Sequence, residues 1–194
     1  GSNFIDGLNG LLCGYYVMIL GSIIFISYQN QEIIFFNKNF IEIIFLTLLI
    51  FLIPNFFGKV YLGDGGSYLI STIIGCYLIK FYFINSNISP YYICLLLWYP
   101  AFENLFSLLR RLIAKKNISN PDNRHLHQII FVNLKKRSYF FNKNFNTISS
   151  AIILLLNLPG FIFGSFYYDK SLILTIILIY NLVIYCLIYY KMSK

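Results

Sequence analysis

The chain alternates long apolar runs with short polar segments. Six runs are apolar almost throughout: Leu11–Tyr28, Phe40–Phe57, Gly65–Ile84, Ser89–Leu109, Thr147–Tyr168 and Ser171–Tyr190. Because a helix needs about 20 mostly apolar residues to cross a bilayer, each run predicts a membrane-spanning helix. Strands of a membrane β-barrel would be about 10 residues long, with apolar and polar positions alternating. The pattern therefore predicts an all-α integral membrane protein with about six transmembrane helices.

Composition agrees with this prediction. The chain is 58% hydrophobic and 11% charged, whereas a soluble domain carries roughly 25% charged residues. So few charges cannot cover a water-facing surface. The net charge of +8 is explained by loops at one membrane face, without a nucleic-acid partner. The four cysteines lie inside apolar runs without metal-ligand or redox spacing, so they are interpreted as small hydrophobic residues.

The basic residues predict an orientation. The loop at residues 110–146 holds nine Lys and Arg against one acid, Asp122. Cytoplasmic loops are enriched in Lys and Arg, so this loop is placed in the cytoplasm. Counting six spans outward from it puts 12 of the 15 Lys and Arg residues on the cytoplasmic side. The chain is thus predicted to lie in the cytoplasmic membrane, where the loops can also attract anionic lipid.

Three polar segments fall on that same predicted face. The first polar segment is residues 3–10, the second is residues 59–67 and the third is residues 120–128. Acids, glycines and histidines are unfavourable beside lipid and mark functional sites in membrane proteins. The three segments are therefore the candidates for chemistry.

The second polar segment contains Gly63-Asp64-Gly65-Gly66-Ser67 at the start of a predicted span. Glycines let backbone N–H groups approach a ligand, and the following helix start favours an anion such as a diphosphate. Asp64 could hold the Mg²⁺ that binds the same phosphates. The alternative is a tight turn with Asp64 as the helix cap.

The other two segments are equally open to two interpretations. Asp6 and Asn9 share a face of one helical turn and could bind the polar edges of a base, ribose or sugar, or they could cap the helix. On extended backbone His125 and His127 point to one side. They could donate to phosphate oxygens beside Arg124, or they could be ordinary surface histidines; two imidazoles alone do not specify a metal site.

Glu103 is the one charge well inside a predicted span. A buried acid usually pairs with a neighbouring base, and Arg110 and Arg111 follow on the same helix. We expect a structural ion pair with one of these arginines. A catalytic role is the less favoured alternative.

Four motifs together resemble a known family. They are Asn-x-x-Asp-Gly-Leu-Asn-Gly from Asn3, Lys-Val-Tyr-Leu-Gly-Asp-Gly-Gly-Ser from Lys59, Tyr-Pro-Ala-Phe-Glu from Tyr99 with Arg110-Arg111, and Pro-Asp-x-x-His-Leu-His-Gln from Pro121. Their order and spacing over residues 3 to about 130 resemble the polyprenyl-phosphate N-acetylhexosamine-1-phosphate transferases. These are the glycosyltransferase family 4 membrane enzymes, which include phospho-N-acetylmuramoyl-pentapeptide transferase.

The resemblance implies transfer of a sugar 1-phosphate from a UDP-N-acetylhexosamine to undecaprenyl phosphate, with release of UMP, at a cytoplasmic site. It implies Mg²⁺ as cofactor, with Asp64 as its ligand, and a catalytic role for Asp64, His125 and His127. The residues that it places at the substrate are Asn3, Asp6, Asn9, Asn55, Tyr61 and Arg124. The third segment is closer to the N-acetylglucosamine type than to the muramoyl-pentapeptide branch, which stays an alternative. A homodimer is left open.

The chain also departs from the family pattern. Asn9 stands where many members have a second aspartate, and the family's paired aspartates do not occur in this sequence. We therefore expect residues 1–194 to be a single transmembrane domain from the C-terminal part of a larger enzyme, inactive on its own. The alternative from another functional class is a non-catalytic membrane module or a six-helix transport protein. No internal repeat supports a transporter.

Overall fold

A computed structural model of the chain describes residues 5–34, 37–115, 122, 124–137 and 144–193. Every regular element in these ranges is an α-helix: α1 (Leu11–Gln29), α2 (Lys38–Phe56), α3 (Gly63–Ile84), α4 (Pro90–Ile113), α5 (Leu126–Arg137), α6 (Phe145–Phe166) and α7 (Ser171–Ser193). All but α5 are long and apolar enough to cross a membrane. The predicted all-α membrane fold is confirmed, with ends within about one helical turn.

Helix α1 lies at the centre of the bundle. It packs against α2 on one side and α6 on the other, and 67% of its apolar window is buried, against 17% for α2 and α7. Ile19 and Ile23 of α1 are completely buried. The outer helices instead expose large apolar side chains, such as Ile50 and Leu172. A bilayer, which is as apolar as these side chains, accommodates such surfaces.

Helix α4 begins at a capping signal in the sequence. The Ser89 hydroxyl accepts a hydrogen bond from the Tyr91 backbone N–H at 3.3 Å. Pro90 occupies the first helical position, where its missing N–H removes no helical bond. At its other end α4 continues to Ile113, about one turn past the predicted end at Leu109. Arg110 and Arg111 therefore extend from a rigid helix.

Helix α5 was not predicted from the sequence. It lies inside the basic loop and packs against α6 and α7. Leu126 and Ile130, one turn apart, are its most buried apolar residues. This i, i+4 spacing is a signal for a helix, but the loop was interpreted only through its charge, its histidines and its motif. The third polar segment thus leads into a docked helix.

Asparagine side chains bind loop backbone at both ends of the bundle. At one end the starts of α1 and α6 meet the end of α2, through a hydrogen bond from Asn9 N to Asn146 Oδ1 and another from Gly10 N to Asn55 Oδ1. We call this the site end. At the opposite end Asn85 binds the backbone of Ile34. The back-and-forth path of six long helices brings the described parts of all three polar segments to the site end.

Candidate active site

The first polar segment is held in place by the helices around it. The Asn9 N–H donates to Asn146 Oδ1 at 2.7 Å, and the Asn9 carbonyl accepts from the Ser150 hydroxyl at 2.7 Å. The Gly10 N–H donates to Asn55 Oδ1 at 2.8 Å. Gly10 itself has φ of +78°, which glycine adopts without strain. The segment is therefore fixed by α2 and α6.

A polar cavity of about 190 Å³ opens beside this segment, and its walls come from four parts of the chain. Four of the residues predicted from the sequence line it: Asp6, Asn9, Asn55 and Tyr61. The sequence reasoning missed Asn146, which also lines it. Nothing in the sequence distinguishes Asn146 from an ordinary residue at a helix start. Asn3, also predicted, lies outside the described residues.

Asn55 does not point a free amide into the cavity. Besides accepting from Gly10, its Nδ2 donates to the Val60 carbonyl at 2.7 Å. Asn55 is buried, and its amide joins the first polar segment to the second. It shapes the cavity through the backbone it holds.

Asp6, which lines this cavity, lies close enough to Asp64 for the two carboxylates to interact. Burial and the negative charge of Asp64 raise the pKa of Asp6 to about 6. Asp64 is exposed in the first turn of α3, just after Gly63 with φ of +64°. No basic side chain among the described residues forms an ion pair with either acid. Within the described part of the chain the two acids therefore carry negative charge that no basic side chain pairs with.

The donor set at this point fits Mg²⁺. No cluster of three or more His, Cys, Asp and Glu side chains occurs in the described ranges. Mg²⁺ keeps several waters and commonly takes only one or two carboxylates together with substrate phosphates. Asp64 and Asp6 provide two carboxylates, which is enough for such a site. The excess charge that raises the pKa of Asp6 is what a divalent cation would offset.

The two histidines are buried at the site end. His125 is 3% exposed and His127 is 0% exposed, so the surface-histidine alternative is wrong. Their rings stack with centroids 5.5 Å apart and planes 6° from parallel. His127 lies in helical rather than extended backbone, yet the rings share one side as expected. Tertiary packing, and not the predicted extended backbone, places the two rings on one side.

His127 joins the third polar segment to the first. A Cβ on Gly7 would lie 3.4 Å from His127 Nε2, so the ring rests against the glycine backbone. Burial lowers the pKa of His127 to about 4, and the nearby Glu103 carboxylate only partly opposes this shift. The ring is neutral at pH 7. Neither ring nitrogen has a hydrogen-bond partner among the described residues, which leaves one donor and one acceptor for a ligand or water.

Glu103 pairs with the third segment and with neither arginine. Its Oε1 lies 3.1 Å from His125 Nδ1 and accepts a 2.9 Å hydrogen bond from the Leu126 N–H. The expected pair with Arg110 or Arg111 is therefore wrong. Because the loop folds back over α4, His125 and the start of α5 reach Glu103. The arginines, nearly two turns further along, meet Asp122 instead.

The Asp122 cluster holds the chain just before the histidines. Asp122 accepts hydrogen bonds from Ser107 and Arg110, and Arg111 Nε lies 3.9 Å away. Burial alone would raise the pKa of Asp122, but the Ser107 hydrogen bond and the charge of Arg110 lower it overall. Arg110 also donates to the Arg124 carbonyl. These bonds fix the Arg124 backbone, while its side chain is exposed.

Comparison with known proteins agrees with the resemblance drawn from the motifs. Residues 1–82 match the sequence model of glycosyl transferase family 4. The chain is 29% identical over 167 residues to the "Probable undecaprenyl-phosphate N-acetylglucosaminyl 1-phosphate transferase" of Bacillus subtilis, covering 84% of this chain and 42% of that protein. The recognition made from the sequence is thereby confirmed over the matched residues.

Two further relatives carry related names. The "Undecaprenyl-phosphate alpha-N-acetylglucosaminyl 1-phosphate transferase" of Thermotoga maritima is 30% identical over 127 residues, 66% of this chain and 37% of that protein. The "Decaprenyl-phosphate N-acetylglucosaminephosphotransferase" of Mycolicibacterium smegmatis is 25% identical over 146 residues, 64% of this chain and 36% of that protein. The chain thus spans about two fifths of the length of these relatives. No solved structure matches it significantly.

Proposed function

We propose that this chain, as a relative of glycosyl transferase family 4, provides the nucleotide- and phosphate-binding end of a membrane transferase. The enzyme would move N-acetylglucosamine 1-phosphate from UDP-N-acetylglucosamine to undecaprenyl phosphate and release UMP. One observation carries the proposal: segments far apart in the sequence meet at the site end, where Asp6 lines a polar cavity and interacts with the nearby Asp64. The names of the relatives supply the substrates.

The reaction is a phosphoryl transfer between two substrates. An oxygen of undecaprenyl phosphate would attack the β-phosphorus of the UDP-sugar. The bond from that phosphorus to the bridging oxygen would break, and UMP would leave with this oxygen. Such a reaction needs positioned groups and charge neutralisation more than covalent participation by the protein. The site end of an apolar bundle suits it, since a lipid phosphate can meet a soluble nucleotide there.

The polar cavity would bind the nucleotide. Asp6 and Asn9 line it with their side chains, and the exposed Tyr61 stands at the same cavity. Asn55 and Asn146 would act by holding the backbone around it, because both amides already bind neighbouring backbone. A cavity of about 190 Å³ takes only part of a nucleotide. We assign it to the nucleoside portion.

Asp64 and Asp6 would hold Mg²⁺ at the start of α3. When bound, the cation would neutralise charge on the diphosphate as the bond to UMP breaks. The N–H groups in the first turn of α3 favour the same anionic group. Asp64 would act as the principal ligand because it is exposed there.

The third polar segment would contact the phosphates from the other side. His127 is neutral and has a free ring donor, which can bind a phosphate oxygen. The exposed Arg124, three residues before His127, would add a permanent positive charge. His125 would orient the pair through its contact with Glu103. None of these roles requires a change of protonation during turnover.

Activity of the full-length protein tests this proposal. UMP release from UDP-N-acetylglucosamine should require undecaprenyl phosphate and Mg²⁺, and EDTA should abolish it. UDP-N-acetylmuramoyl-pentapeptide, offered as the competing donor, should not be used. Preference for that donor would move the protein to the muramoyl branch. Absence of any lipid-dependent UMP release, with folded protein, would refute the transferase proposal.

We also propose that the site end faces the cytoplasm, as the distribution of Lys and Arg favours. A single cysteine at the exposed Lys136 of α5 tests this, with the exposed Lys170 at the opposite end as the matched position. In sealed cells an impermeant thiol reagent should label position 170 and spare position 136. The reverse pattern would overturn the orientation.

A further inference from the structure

We infer that Glu103 is a positioning residue that fixes the ring of His125 and the start of α5, and so holds the third polar segment against the first. This inference rests on the proposed function and assigns a role to a residue that lies inside the apolar span of α4. The sequence pattern pointed to an arginine partner instead. Three observations support this role of Glu103.

The first is the environment of the carboxylate. Glu103 is 1% exposed, and burying a carboxylate is strongly unfavourable unless hydrogen bonds and an opposite charge compensate it. Both hydrogen bonds recorded for its Oε1 come from the third segment: one from His125 and one from Leu126 N. In the described ranges no Lys or Arg side chain pairs with Glu103, and the basic group that contacts it is the His125 ring. The hydrogen bonds that satisfy Oε1 therefore come from this segment, while Oε2 has no hydrogen-bond partner in the described ranges.

The second is the effect of these bonds on His125. A carboxylate accepts hydrogen bonds, so the nitrogen facing it, Nδ1, carries the proton. The bond also fixes the plane of the ring. Nε2 is then the nitrogen left for other contacts, as in metal and catalytic histidines that a carboxylate orients from behind. Without Glu103 the ring would be free to change tautomer and to rotate.

The third is the start of α5. The Leu126 N–H is among the first N–H groups of the helix, which have no partner within it. Glu103 Oε1 satisfies this N–H at 2.9 Å. A negative charge at a helix start is also electrostatically favourable. One carboxylate thus anchors the histidine and the helix that follows it.

The position of His125 is transmitted to the site by stacking. His127 lies parallel to His125 at 5.5 Å between centroids, and its Nε2 edge rests against Gly7 of the first polar segment. The sequence of contacts runs from Glu103 through His125 and His127 to Gly7. Removing the contact between Glu103 and His125 should therefore displace His127 from Gly7. Positioning of this kind tolerates little error, because about 1 Å of misplacement can reduce a rate about a hundredfold.

Kinetics of full-length variants test the inference. Glu103→Ala should lower kcat for UMP release by about 10- to 100-fold, the usual effect of removing a residue that orients a functional histidine. The KM for UDP-N-acetylglucosamine should change less than about threefold, since the polar cavity is not touched. Glu103→Gln, which keeps the shape and an acceptor oxygen, should fall between Glu103→Ala and wild type. Glu42→Gln, the same change in the α2 acid that pairs with Lys38, should leave both constants unchanged.

A double-mutant cycle separates positioning from an independent effect. If Glu103 acts through His125, adding Glu103→Ala to His125→Ala should cause little further loss of kcat. Losses that multiply would show that Glu103 works apart from His125, and the inference would be wrong. A large change in KM with kcat intact would also contradict it.

Nitrogen-15 NMR of histidine-labelled protein gives a readout that does not require activity. Wild type should show His125 with a proton fixed on Nδ1, assigned by its disappearance in His125→Ala. Folded Glu103→Ala or Glu103→Gln should show exchange between tautomers or a change of tautomer. An unchanged His125 signal in both variants would overturn the inference. If wild type released no UMP, the transferase proposal would fail while this test of Glu103 remained decisive.

Discussion

Two buried asparagines at opposite ends of the bundle make nearly the same bonds. Asn55, at the end of α2, accepts from Gly10 N and donates to the Val60 carbonyl. Asn85, just after α3, accepts from Ile34 N and donates to the Ile34 and Phe81 carbonyls. Each amide ties loop backbone to a helix end. Both ends of this membrane protein therefore use the same device to satisfy backbone groups.

The charged groups distinguish the two ends. At the opposite end Glu42 pairs with Lys38, and Asp169 pairs with Lys170 at 2.9 Å. At the site end Asp6 and Asp64 repel each other, and in the described part of the chain the buried His127 has no partner for its ring nitrogens. Glu42 and Asp169 at the opposite end thus each have a basic partner within the protein. The site end keeps polar groups that a nucleotide, phosphate or cation can satisfy, which is typical of a functional site.

The largest effect is expected from neutralising Asp64. In the full-length protein Asp64→Asn should reduce UMP release about a hundredfold or more, because an amide cannot hold Mg²⁺ against a diphosphate as a carboxylate does. The measurement is kcat at saturating Mg²⁺. Asp169→Asn at the opposite end is the matched control and should retain full activity. Residual turnover of tens of percent in Asp64→Asn would refute the role as metal ligand.

The two asparagines provide a direct comparison of the ends. Asn55→Ala and Asn85→Ala should each lower the free energy of unfolding by about 1–3 kcal/mol, because each leaves buried backbone groups unsatisfied. Only Asn55→Ala should also raise the KM for UDP-N-acetylglucosamine, by about tenfold. Thermal unfolding in detergent and steady-state kinetics measure the two effects. Equal kinetic defects in both variants would contradict the assignment of the cavity to the nucleotide.

Acid sensitivity should come in part from His127. Its pKa is about 4 in the folded protein and 6.5 ordinarily, so the unfolded chain takes up the proton first as pH falls. Its contribution to stability is therefore complete above pH 6.5 and is lost as pH falls toward 4. Melting temperatures measured across this range should decline less steeply in His127→Gln than in wild type. Parallel curves would show that His127 does not titrate in this way.

The smallest effect concerns two glycines of α3. Neither Gly65 nor Gly75 has a positive φ, and a Cβ on either meets nothing within 4 Å. Alanine at each should thus stabilise the helix by about 0.5–1 kcal/mol. Only Gly65→Ala, in the turn proposed to approach the phosphates, should lower kcat, by severalfold. Full activity in Gly65→Ala would favour the alternative in which this glycine serves only the loop-to-helix connection.

Much of the fold followed from local properties of the sequence. The ends of the six long helices agree with the apolar runs, because crossing a bilayer demands length and apolarity of each segment separately. Helix α5 was missed because it is short and its burial depends on α6 and α7. Its Leu126 and Ile130 look like any two apolar residues until their partners are known.

The candidate site, like the fold, was only partly predictable from the sequence. The sequence alone singled out the residue types that chemistry needs, and Asp6, Asn9, Asn55 and Tyr61 do line one cavity. It paired Glu103 with the nearest bases along its own helix, and it gave no reason to choose Asn146. Side-chain partners across the bundle are set by how segments fold back on one another.

What the sequence determined by itself was therefore the number of spans, their limits and the polar segments between them, since each depends on a short stretch of chain and its solvent. Tertiary structure decided the partners: Glu103 with His125, Asp122 with Arg110, and His127 against Gly7. Hydrogen bonds and ion pairs act over a few ångströms. Only the packed bundle brings these residues, which are 12 to 120 positions apart, within that range.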